Sequence, residues 1–158
     1  MYIHECQQTA REFMQLTKHT DYAFRVLIYL ASMHQPRTTI KEITETFDIS
    51  KTHVMKVVNE LANKGWVSAI RGKNGGITLG VDAKAINLRS VVELMEKTLN
   101  PISCTEPLCY IKGICKLKPI LMQAQDEYLT HLSNYTVADL MNDQISQKIA
   151  GSEITLVK

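Results

Sequence analysis

Residues 38–79 place three backbone signals in a fixed order, and that order restricts the fold more than any other stretch. Thr38-Thr39-Ile-Lys-Glu42 has the form of a capping box, with Thr39 answered by Glu42 three residues on. The helix it opens runs to about Phe47, with Ile40, Ile43 and Phe47 on one face. Asp48-Ile49 makes a tight turn. Ser50 then caps a further helix, Lys51 to Asn63, whose apolar stripe is Val54, Val57, Val58 and Leu61. Short helices joined by so brief a turn form a helix-turn-helix. A β-hairpin follows. Trp66–Ile70 is a strand, Arg71-Gly-Lys-Asn-Gly-Gly76 a tip with two cations, and Ile77–Leu79 the return. Glycine permits the positive φ angles such a tip uses. A helix-turn-helix followed by a basic hairpin is the winged-helix arrangement. There the recognition helix enters the major groove and the wing reaches the backbone or a neighbouring groove. The tip lacks the G-x-x-x-x-G-K-[ST] pattern and follows helix and strand in the wrong order for a nucleotide-binding loop.

Around this unit the pattern is helical. Thr20 to Ser32 reads as a first helix, capped by Thr20 or Asp21, with Tyr22, Val26, Tyr29 and Leu30 at helical spacing. Ile86 to Met95 is another, with Leu88, Val91, Val92 and Met95 inward. Leu117, Ile120, Leu121, Ala124, Tyr128 and Leu132 mark a long amphipathic helix, with Pro119 tolerated in its first turn. Its stripe suits either its own domain or a dimer seam. Tyr135–Leu140 adds a short helical piece, and the residues after Asn142 read as a fraying tail. The expected class is mostly α with a small β wing. The expected division is an extension over residues 1–13, a winged helix-turn-helix over 14–80, a cysteine loop and dimerisation helix over 81–142, and a tail over 143–158.

Composition sets bounds. The chain has 158 residues, 45% of them hydrophobic, which suits one globular domain or a small domain with an oligomerisation element. The apolar run Val26–Ala31 is far too short to span a bilayer. The start, Met1-Tyr-Ile-His-Glu, has no basic region followed by an apolar stretch, so a signal peptide is not expected and the cytosol is. Net charge is only +2, but Met14–Gly80 carries nine Lys/Arg against five Asp/Glu. Positive charge therefore collects where a phosphate backbone would want it. Catalysis is not expected: no Ser/His/Asp order, metallohydrolase motif or nucleotide loop is present.

Three of the four cysteines lie within Cys104-Thr-Glu-Pro-Leu-Cys109-Tyr-Ile-Lys-Gly-Ile-Cys115, spaced C-x4-C-x5-C. Thiols this dense in a loop suggest a soft metal, a redox pair or a disulfide. Structural zinc prefers C-x2-C pairs and four ligands from the chain itself. Iron–sulfur clusters accept wider spacing and, at times, a non-cysteine ligand. A reducing cytosol disfavours a structural disulfide. Iron–sulfur, zinc, a disulfide and free thiol all stay open on spacing alone. Cys6 stands apart from this group.

Four blocks then converge. Met14-Gln-Leu-Thr-Lys-His-Thr-Asp-Tyr22, Arg25-Val-Leu-Ile-Tyr-Leu-Ala31, Arg71-Gly-Lys-Asn-Gly-Gly-Ile77 and the cysteine loop together resemble the nitric-oxide-sensing iron–sulfur repressors of the NsrR type. These stand within a wider winged-helix family that includes IscR. The likeness covers about Met14 to Leu140 and begins at Met14, in keeping with an extension over 1–13. It implies a homodimeric transcription repressor, cytoplasmic and without a membrane segment, that binds a palindromic, A·T-rich operator in double-stranded DNA. It implies an iron–sulfur cluster, 4Fe–4S or 2Fe–2S, held by Cys104, Cys109 and Cys115, with Asp21 of the partner subunit as the fourth ligand. Nitric oxide is the implied signal. IscR-like proteins carry a histidine three residues after the third cysteine. Lys118 stands there instead and cannot ligate while charged. An IscR-like regulator of cluster assembly or iron homeostasis, or a zinc-stabilised winged-helix regulator, is the alternative.

On DNA, Thr52, His53 and Lys56 lie on the exposed side of the recognition helix and are expected to meet base edges. Ser50, Lys51, Arg71, Lys73 and Asn74 suit phosphates or a minor groove, as does Arg25. Arg71 is the leading residue among them, because a narrow A·T-rich groove concentrates negative potential.

Overall fold

The computed structural model describes residues 16–72 and 75–156, the last five as backbone only. The extension over 1–13 and two expected DNA contacts, Lys73 and Asn74, lie outside the described residues. The elements run α1 (Lys18–Ser32), α2 (Ile40–Phe47), α3 (Lys51–Asn63), β1 (Val67–Ile70), β2 (Gly76–Leu79), α4 (Leu88–Met95), α5 (Leu117–Leu132) and α6 (Asp143–Leu156). Short 3₁₀ turns sit at Ala83–Ala85 and Val137–Leu140. The expected class holds: helices dominate, and β1 and β2 form a two-stranded antiparallel sheet.

Local chemistry explains most boundaries. The capping box of α2 is complete. Thr39 Oγ1 accepts from the Glu42 amide at 3.2 Å, and Glu42 Oε2 accepts from the Thr39 amide at 2.7 Å and from Thr38 Oγ1 at 2.6 Å. Asp48 ends the helix in the left-handed region, with φ 50°. α1 starts earlier than the sequence suggests. Thr17 is its cap, accepting from the Thr20 amide at 3.3 Å, so Thr20 and Asp21 lie inside the helix. Thr20 is fully buried and its hydroxyl is committed elsewhere, to Glu96. Ser50 occupies the cap position of α3, but its side chain makes no capping bond.

α1 is the central helix. It packs against α3, α4, β2, α6 and the second 3₁₀ turn. Ala23, Val26, Leu27 and Leu30 of α1 meet Ile43, Val54, Val57, Val58, Leu61, Val91 and Met95 in one core. The α3 and α4 faces read from the sequence are the buried ones. Trp66, Val67 and Ile77 extend the core under the wing.

The wing pairs Val67 with Leu79 through to Ile70 with Gly76. β2 is tied, near its tip end, to the chain entering α2, where Thr38 and Ile77 exchange both backbone hydrogen bonds, at 3.0 and 2.7 Å. This close approach explains the paired glycines. A Cβ on Gly76 would fall 2.9 Å from the Thr38 carbonyl oxygen, and one on Gly75 would collide with the Ile70 carbonyl.

One expectation changes. The stretch after Asn142 is not a fraying tail over its described part. It forms α6, which packs on α1 and α2 and buries Ile149, with Ile145 against the same core. A lone Ile145/Ile149 pair at i, i+4 was too short a signal to read. The stripe of α5, left open from sequence between its own domain and a dimer seam, is mostly uncovered in the protomer. Leu129 alone of that helix is buried, while Leu117, Ile120 and Tyr128 are 48%, 61% and 40% exposed.

Candidate nucleic-acid interface and cysteine loop

The wing and recognition helix stand on one rigid base, since α3 and β2 both pack on α1 and α3 packs on β1. Ser50, Lys51, Thr52, His53 and Lys56 are all exposed along α3, opposite its four buried apolar residues. Arg71 is exposed at the start of the wing tip. His53 is held at the α1 side of this surface, its ring 6.1 Å from that of Tyr22. Beside it, His19 of α1 lies 3.0 Å from the Glu60 carboxylate of α3. These contacts fix how the recognition helix sits on α1.

Arg25 is less free than its sequence position suggests. Its guanidinium meets both oxygens of Asp21 one turn earlier, at 3.0 and 3.2 Å, and lies 5.9 Å from the centre of the Phe47 ring. Asp21 is thus an ion-pair partner inside the protomer and not the helix cap. The pair is roughly two-fifths exposed on each side.

The cysteine loop is folded by its own backbone. The Cys109 amide donates to the Cys104 carbonyl at 3.3 Å. The Lys112 amide then donates to the Cys109 carbonyl at 3.1 Å, and the Cys115 amide to the Ile111 carbonyl at 3.1 Å. Cys115 Sγ accepts from the Leu117 amide at 3.4 Å as α5 begins. All three thiols are free and half-buried. Around them Leu108, Tyr110, Ile111 and Ile114 are exposed, Tyr110 completely. Three soft donors within twelve residues of chain, one already accepting an amide, suit a thiolate-bound metal or cluster in kind. Their geometry in the protomer is not that of a finished site. Among the described residues no three His, Cys, Asp or Glu side chains are gathered as metal ligands. Asp21 is not brought into a ligand group with the cysteines of its own chain.

One residue escaped the sequence reading. Glu96, at the end of α4, accepts from the Thr17 amide at 2.9 Å, Thr17 Oγ1 at 3.1 Å and Thr20 Oγ1 at 2.5 Å. Burial alone would raise its pKa. The hydrogen bonds from Thr20 and Thr17, with the charge of His19, outweigh it and hold the carboxyl below its usual value. Tyr128 of α5 lies close enough that burial, and then the Glu96 charge, push its hydroxyl upward. Glu96 therefore joins the first turn of α1 to the strand of chain leading into the cysteine loop. An apolar cleft of about 400 Å³ opens beside it, walled by Leu16, Val92, Leu99, Leu121 and Tyr128. Partners this far apart in sequence leave no local signal.

Among the described residues, no helix is long and apolar enough to cross a membrane. The fold matches solved structures over most of its length. CymR (YrzC), the global cysteine regulator of B. subtilis, is 23% identical with a TM-score of 0.62, the match covering 81% of this chain and 96% of that one. The oxidised form of Staphylococcus aureus CymR is 23% identical with a TM-score of 0.60, covering 78% and 93%. IscR of T. potens is 19% identical with a TM-score of 0.62, covering 80% and 85%. At these identities the likeness establishes the fold alone. A family model described as Rrf2, iron-dependent transcriptional regulator, matches residues 16–143. With that match spanning both the wing and the cysteine loop, the chain belongs to the Rrf2 family, whose members are DNA-binding transcription regulators and not enzymes.

Proposed function

We propose that this chain is a nitric-oxide-sensitive repressor whose dimer binds an A·T-rich palindrome while an iron–sulfur cluster, 4Fe–4S or 2Fe–2S, is in place. The observation that carries the reading is the cysteine loop itself. Three free, half-buried thiols sit in one short loop at the foot of α5 in a member of an iron-dependent regulator family. The resemblance to NsrR-type repressors supplies the signal and the cytoplasmic setting.

In this reading Cys104, Cys109 and Cys115 hold the cluster, and Asp21 of the partner subunit completes it. Bound there, the cluster supplies iron that reacts with nitric oxide. The rest is done by the chain. With a cluster bound, the thiolates of one subunit and the carboxylate of the other would tie the cysteine loop to the first turn of α1. That turn carries Tyr22 against His53 and His19 against Glu60, so the tie sets where α3 stands. Half-sites lie about 34–36 Å apart, one turn of DNA, so a small change in the separation of the two α3 helices removes affinity.

The test is anaerobic purification followed by iron and sulfide analysis, with operator binding measured before and after nitric oxide. Brown protein that releases DNA is the expected result. Replacing Asp21 by Ala should keep DNA binding weak or make it indifferent to nitric oxide. An Asp21→Ala protein that keeps its cluster and responds like the parent would remove the tie from the account. Colourless, zinc-loaded protein would favour the zinc-stabilised regulator. Brown protein that ignores nitric oxide on DNA would favour the IscR-like alternative.

A further inference from the structure

α3 carries one apolar side chain where its polarity pattern calls for a polar one. Val54, Val57, Val58 and Leu61 take the buried face. Lys51, Thr52, Met55, Lys56 and Asn59 are exposed, at i, i+1, i+4, i+5 and i+8, one continuous ridge along the helix. Four of the five are polar or charged. Met55 is 46% exposed and stands between Lys51, one turn before it, and Asn59, one turn after. His53 and Glu60 occupy the other edge of α3, against Tyr22 and His19 of α1. The edge that bears Met55 has no such engagement recorded among the described residues.

The surroundings indicate what covers Met55. Two lysines and a threonine on the same ridge suit phosphates and base edges, not an apolar protein surface. The major groove displays one apolar group, the C5-methyl of thymine. A flexible, polarisable thioether adapts to such a contact better than a branched side chain. We propose that Met55 reads a thymine 5-methyl group in each half-site, and so acts as a specificity residue alongside the polar contacts of Thr52 and Lys56. The proposal rests on DNA binding by α3 and deepens it. It does not depend on which metal or signal controls that binding.

The test uses the full-length dimer purified without oxygen. Duplexes are selected from a random pool, and the best one is then scanned by replacing each thymine with uracil, which deletes only the methyl. For the parent, one thymine per half-site should stand out, its replacement weakening binding about fourfold, the worth of one buried methyl-sized group. In Met55→Ala that sensitivity should vanish at the same position, with the rest of the scan unchanged. Met55→Leu, which keeps an apolar side chain, should retain it. Both substitutions are at an exposed position, and circular dichroism verifies that each variant folds. An identical uracil profile in the parent and Met55→Ala, or no sensitive thymine at all, would overturn the proposal. If no duplex is enriched, the DNA-binding reading of α3 falls and the proposal with it.

Discussion

Asp21 and Arg25 meet across one helical turn, each about two-fifths exposed. An exposed i,i+4 pair of this kind is worth only about 0.3–0.5 kcal/mol. The Asp21 carboxylate can therefore leave Arg25 for a stronger partner at little cost, as the proposed ligation across a dimer would require. Release of Arg25 would also free its guanidinium toward a phosphate. Arg71 presents a simpler case, exposed at the wing and without a packing role. Arg71→Ala should weaken operator binding, and the slope of log affinity against log salt should fall by about one. Unchanged affinity and slope in a salt titration would remove Arg71 from the interface. Glu96 makes a prediction about pH. Its folded pKa lies below the ordinary carboxylate value of 4.5. The stability it contributes is therefore present above pH 4.5 and lost as pH falls through the lower folded value. Glu96→Gln should flatten the acid limb of the stability curve in that window. An acid limb identical to the parent's in denaturant titrations at several pH values would contradict this.

At the scale of elements, much was legible because the signals are local. The Thr39/Glu42 box, the turn at Asp48 and the four-residue apolar stripe of α3 each lie within a few residues of the feature they specify, and each appears where the sequence puts it. Thr39→Ala should cost about 1 kcal/mol of stability by removing one half of the box. A melting curve superimposable on the parent's would show the cap to be dispensable. What was illegible depends on distant partners. Thr20 looked like a cap because its burial beneath Glu96, 76 residues away, cannot be read from its neighbours. α6 looked like a tail because only Ile145 and Ile149 mark its inner face, and their partners on α1 and α2 are more than 95 positions earlier. The cysteines were legible as a group, but not their arrangement: the backbone turns that set their spacing in space leave them ungathered within one protomer.

At the scale of the molecule, the winged helix is complete in one chain, whereas the described residues gather no three metal-ligand side chains. The core runs continuously from α1 through the wing and α4 to α6. α5 packs on α4 and meets that core through Leu132 near its C-terminal end, but leaves Leu117, Ile120, Met122 and Tyr128 exposed, with the apolar tips of the cysteine loop beside them. Apolar area on this scale is characteristic of an interface. Members of this family dimerise, and we propose α5 as the seam. Ile120→Lys should leave the fold intact and yield monomer in sedimentation, with operator affinity falling by at least tenfold because a palindrome needs two bound heads. A dimer that survives this substitution would place the seam elsewhere. In the proposed reading the dimer would bring the cysteine loop of one subunit to α1 of the other.

The central claim is that the state of the cysteine loop decides whether the winged helix holds DNA. The most direct measurement is a nitric oxide titration of the anaerobic dimer on an A·T-rich palindrome, with visible absorption and DNA binding followed in the same sample. The account predicts that the brown absorption bleaches and the DNA is released in step, over the same range of added nitric oxide. Bleaching without release, or release without any bleaching, would contradict it.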